Sequence, residues 1–165
     1  MEATAIPGWS DFFIAAAGAA GALAGLVFVT LSINLARIIE LPGVSGRAAE
    51  TIILLGGALA GSLVALVPHL ASRQLATLLF LVAGPTWVAP LVIQALSIQR
   101  HTYYRPWLAV LRAALLQVGA LPGVIGCLAL YDLVPGGIAW FAFGVVASMV
   151  VAMFNAWVLL VEILR

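Results

Sequence analysis

Lysine is missing from this chain, and all seven cations are arginine. Without lysine there is no Schiff base to retinal or pyridoxal phosphate and no Walker A phosphate clamp. Cysteine occurs once, at Cys127. One thiol excludes an intrachain disulfide and a Cys-rich zinc or iron–sulfur centre. Charge of either sign is scarce, at 8% of residues, where a soluble domain carries about 25%. Such a chain cannot coat a surface that faces water. The formal net charge is only +1, so there is no basic field of the kind that gathers nucleic acid.

Catalytic motifs are absent too. The chain has no HExxH, no GxSxG and no paired carboxylates inside an apolar run. A hydrolase working in the membrane needs a nucleophile beside a base at depth, so no enzyme activity is expected. No cofactor and no metal site are expected either. His69 and His101 fall on opposite membrane faces in the topology below, so they cannot share a metal within one chain.

What is present is apolar: 65% of the chain is hydrophobic. The organising stretch is Phe12 to Leu35, which carries no charge. At about 1.5 Å of rise per residue it exceeds the roughly 30 Å of a hydrocarbon core. It is also too long for a signal-peptide apolar region, and no basic segment precedes it, so it is expected to be a retained span. Further apolar runs predict spans over about 49–70, 75–98, 107–130 and 138–164. The fold class is therefore all-α: one domain over 1–165, a polytopic bundle of five transmembrane helices. Residues 36–48 are expected to form a loop, punctuated by Pro42, Gly43 and Gly46. Pro85 and Pro90 are expected to kink or unwind the third span. The segment from Gln99 to Trp107, rich in aromatics and arginine, reads as an interfacial belt.

An odd number of spans places the termini on opposite sides. Arg37, Arg47, Arg100, Arg105, Arg112 and Arg165 then share one side, and Arg73 alone takes the other. By the positive-inside rule the arginine-rich side is cytoplasmic, which gives N-out and C-in.

Small residues crowd the first span. Gly21 and Gly25 form a GxxxG pair, and the same GALAG string recurs at Gly57 and Gly61. In lipid, helices associate through close contact that small residues permit. The first two spans are thus expected to meet through these four glycines, and self-association into a homo-oligomer is expected.

Polar residues within the spans are few. Ser148, Asn155 and Glu162 recur every seven residues and share one helix face. They line a candidate pore, with Asn34 at the end of the first span. The alternative for each is an interhelical hydrogen bond, worth about 0.6 kcal/mol in a bilayer. Arg47, Glu50 and Arg112 fall near the same interface as a candidate polar cluster, either a vestibule or a lock on the bundle. Gln94 and Gln117 either bond across helices or line a path.

Three stretches, Gly25–Leu35, Leu41–Thr51 and Asn155–Arg165, resemble a family of small, uncharacterised bacterial integral membrane proteins. The resemblance covers spans one, two and five. It implies a bacterial inner-membrane location and carries no activity. Two functions follow as expectations. One is an oligomeric channel or transporter-like pore for ions or small solutes. The other is a structural or accessory subunit of a larger membrane complex, with another membrane protein as partner. A water-filled path along the polar stripe favours the first. A dry bundle with a small-residue outer face favours the second.

Overall fold

The computed structural model describes residues 8–41, 43–100 and 106–164, and among them there is no strand. Glu2, Pro42, His101, Arg105, Arg165 and most of the interfacial loop lie outside the described residues. Six helices follow one another: α1 Ser10–Ile33, α2 Leu35–Glu40, α3 Val44–Ala65, α4 Ser72–Arg100, α5 Pro106–Leu130 and α6 Ile138–Leu164. All but α2 are long and apolar enough to cross a membrane, as the five predicted spans require.

The boundaries have local causes. Asp11 sits in the first turn of α1, where its charge complements the helix dipole. At Asn34 the backbone leaves helical geometry (φ −103°, ψ 12°), and the Asn34 amide donates to the Thr30 carbonyl at 2.9 Å. This break separates α1 from α2. The expected loop over 36–48 is therefore corrected: it holds α2 and the first turn of α3. Gly43, at φ +81°, takes a left-handed conformation costly for other residues and starts α3 at Val44 rather than Ala49. That earlier start moves Glu50 six residues inside the helix. The apolar residues after Ala65 belong instead to a turn with Pro68 and His69. Helix α4 runs through Pro85 and Pro90 without interruption, so no unwound segment forms there.

Helix α3 is the hub. It packs against α1, α4 and α6, while α5 packs against α4 and α6. The apolar interior has one large centre, including Phe13, Leu79, Cys127 and Phe141, and a second around Leu54, Leu55, Leu116 and Val151. A third joins Ile38 of α2 to Val44, Ala48 and Leu159. The exterior is equally apolar: Leu26, Phe28, Ile33, Val110 and Trp157 are each more than half exposed. A surface of that kind suits lipid.

The expected glycine-to-glycine meeting of the first two spans is also corrected. Helices α1 and α3 do pack, but a Cβ at Gly25 would meet nothing within 4 Å, and one at Gly21 only the Leu59 side chain at 3.8 Å. Gly57 instead accommodates Thr86 of α4, and Gly61 accommodates the Phe141 ring of α6. A close backbone approach lies elsewhere, between α5 and α6. A Cβ at Gly144 would strike the backbone of Gly123, and one at Gly126 the backbone of Phe141.

Candidate functional site at the charged end of the bundle

The start of α3, the end of α4, the start of α5 and the end of α6 lie at one end of the bundle. There the structure gathers four charged side chains of the long helices, Arg47, Glu50, Arg112 and Glu162. Glu50 is 1% exposed. Its carboxylate accepts from Arg112 twice, from Nη2 at 2.6 Å and from Nε at 3.1 Å. Gln94 of α4 adds a long contact from Nε2 at 3.4 Å. A fork-shaped guanidinium meeting both carboxylate oxygens is the strongest geometry such a pair takes. Three helices are thereby joined by one buried carboxylate.

The local sequence makes room for this contact. Gly46 lies one turn before Glu50 on the same face of α3. A Cβ there would press on Ile93 at 3.1 Å and come within 4.0 Å of Arg112 Nη2. Its missing side chain lets α4 and the guanidinium sit close to α3. Arg47 points another way and pairs with Glu162 of α6 at 3.4 Å. Burial there is partial: the Glu162 side chain is 40% exposed. Of the expected cluster, Glu50 and Arg112 come together, while Arg47 ties to a different helix.

The expected pore stripe does not behave as one surface. Ser148 is buried and donates to the Gly119 carbonyl of α5 at 2.8 Å. The cavity beside it measures about 20 Å³ and is lined by Gly57, Thr86, Gly123, Gly144 and other small or apolar groups. That is room for about one water. Neither Asn155 nor Glu162 lines it. Asn155 is 8% exposed and shows no side-chain hydrogen bond, but its amide is not sealed from the surface, because among the described residues no fully buried polar atom lacks a partner. Glu162 faces Arg47. At the end of α1, Thr30, Ser32 and Asn34 all donate to carbonyls of their own helix, at 2.8–2.9 Å. Asn34 is therefore a helix-end group, and its amide donor points back along α1.

Sequence reasoning set Gln94 against Gln117 across spans three and four. The structure separates them. Gln94 turns to Glu50, and Gln117 accepts from the indole Nε1 of Trp87 at 2.8 Å. The Trp87 partnership was missed because an indole N–H in an apolar run reads as packing alone. At the opposite end, Thr77 and Tyr131 share a hydrogen bond of 2.7 Å between α4 and the turn after α5. Among the described residues no group of three His, Cys, Asp or Glu side chains is placed to hold a metal.

Chemically, the arrangement is a set of ties. Each ion pair is neutral as a unit, and each hydroxyl on the polar stripe or at the end of α1 is engaged with a backbone carbonyl. Comparison with protein-family models, with curated proteins and with solved structures finds no match.

Proposed function

We propose that this protein is a non-conducting accessory or scaffold subunit that works by docking a transmembrane helix of a second chain against α1. The reading places it in the bacterial inner membrane with N-out and C-in topology, which the segregation of arginines supports. Arg37, Arg47 and Arg112, and the end of α4 at Arg100, belong to one end of the bundle, and Arg73 to the other.

One observation carries the proposal. Ala15, Gly18, Ala22 and Gly25 share one face of α1, and all four are exposed. Cβ atoms built at Gly18 and Gly25 meet nothing within 4 Å. A flat strip of small side chains lets another helix approach closely, which is how helices associate in lipid. The smallness of the cavity beside Ser148, about 20 Å³, points the same way, because a conducting stripe needs water along its length.

The test uses the chain's own chemistry. Cys127 is buried, so Ala22→Cys supplies the one exposed thiol. Oxidative cross-linking in native membranes is expected to trap a disulfide dimer if the second helix comes from another copy. A mixed disulfide or photo-cross-link to a distinct membrane protein is expected if the protein serves a larger complex. Gly18→Leu with Gly25→Leu should abolish either product without unfolding the monomer. Ion flux in proteoliposomes that falls in Asn155→Leu would sink the proposal and restore the oligomeric pore.

A further inference from the structure

A second feature of the surface is independent of the α1 docking face. Helices α1 and α6 touch little, and the space between them is a groove of about 250 Å³. Its walls include Leu26, Val27 and Leu31 from α1 and Trp157 and Leu160 from α6. Leu26 and Trp157 are 68% and 62% exposed, so the groove opens on the lipid-facing surface. Thr30 is its one hydroxyl, and that hydroxyl already donates to the Leu26 carbonyl at 2.9 Å. Apart from the Trp157 indole N–H, the groove therefore offers hydrocarbon walls, which select a largely apolar occupant.

The groove ends at a charged shelf. Leu31 and Leu159, both part of its lining, pack against Ile38 of α2. Next to Ile38 stands Arg37, which is exposed and forms no ion pair among the described residues. Glu162, one turn beyond Leu159, is paired with Arg47. Helix α2, which carries Ile38 against the groove's end, bears one cation, Arg37, and one carboxylate, Glu40, both exposed and neither in an ion pair among the described residues; Arg37 is the nearer in sequence to Ile38. Hydrocarbon joined to an anionic headgroup matches that order of surfaces. Basic sites beside transmembrane helices are where anionic headgroups settle.

We propose that the α1–α6 groove is a binding site for one anionic phospholipid, with an acyl chain along Leu26, Leu31 and Trp157 and the phosphate at Arg37. The lipid would fill the gap that sparse α1–α6 contact leaves open. Its headgroup would also hold α2 against the membrane surface, where Leu35 and Ile39 already face outward.

Trp157 gives a direct probe. The full-length protein is reconstituted with increasing fractions of brominated-chain phosphatidylglycerol or brominated-chain phosphatidylcholine. The Trp157 signal is taken as the difference between wild type and Trp157→Phe. One arginine near the surface favours an anionic lipid by about fivefold, so quenching of Trp157 is expected at about fivefold lower fractions of the phosphatidylglycerol. Arg37→Gln should bring the two lipids level while leaving the fold intact. Ala156→Phe, which fills the groove, should remove the preference with Arg37 still in place. Equal quenching by both lipids in wild type would overturn the site and leave ordinary boundary lipid. A preference that survives either Arg37→Gln or Ala156→Phe would overturn the placement.

Discussion

Arg112 holds Glu50 by both carboxylate oxygens, at 2.6 and 3.1 Å, across the α3–α5 interface. The two residues lie 62 positions apart. The side chains are 10% and 1% exposed. In so dry a setting, attraction between the charges is little screened, and so is the penalty of leaving either one alone.

Removing one partner of this pair is therefore expected to cost far more than removing both. Glu50→Leu or Arg112→Met alone should destabilise the bundle by about 3–5 kcal/mol, and the double variant should recover most of that loss. Thermal unfolding in detergent, read as a double-mutant cycle, measures it. Additive single effects would show that the two charges are not coupled.

The Arg47–Glu162 pair should behave differently. Its distance is 3.4 Å, and the Glu162 side chain is 40% exposed. Arg47→Gln or Glu162→Gln is expected to cost about 0.2–1 kcal/mol. The cost should shrink as salt is raised, whereas that of the Glu50–Arg112 pair should not. A loss in Glu162→Gln as large as that in Glu50→Leu would contradict this ranking.

Glycines separate into two classes. Gly144→Ala drives a methyl into the Gly123 backbone, which cannot swing aside as a side chain can. Overpacking of this kind costs about 1–3 kcal/mol. Gly25→Leu meets open space and should change monomer stability by no more than about 0.5 kcal/mol. Melting curves of the two variants in detergent check the contrast, and equal losses would place Gly25 at an intramolecular contact.

The polar stripe should report as packing. Ser148→Ala deletes the bond to the Gly119 carbonyl and is expected to cost about 0.6 kcal/mol. Asn155→Leu breaks no intrachain hydrogen bond among the described residues, so its effect on unfolding should be smaller still. Liposome flux should be at background for both variants and for wild type.

Much of the architecture is legible in the residues. Apolar runs of spanning length can only be helices in lipid, because every backbone polar group must be satisfied within its own segment. That constraint alone yields five spans, and α1, α4, α5 and α6 begin and end close to where the runs do. Seven arginines, with their high cost inside hydrocarbon, mark the ends of those spans. That Glu50 and Arg112 belong to one end of the bundle was equally readable. The start of α3 was not, because a single left-handed glycine set it.

Tertiary structure decided how each helix is turned about its axis. In water, an apolar stripe marks the buried face of a helix. In this chain the inner and outer faces are both apolar, so hydropathy gives no angular reference. Gly25 and Gly61 look equivalent in their GALAG strings, yet one faces open space and the other an aromatic ring. Arg47, Glu50 and Arg112 were grouped as one cluster, and helix rotation brings Arg112 to the buried Glu50 carboxylate and Arg47 to Glu162. Lipid exposure and length select the helices, while close packing among equally apolar surfaces selects which residues meet.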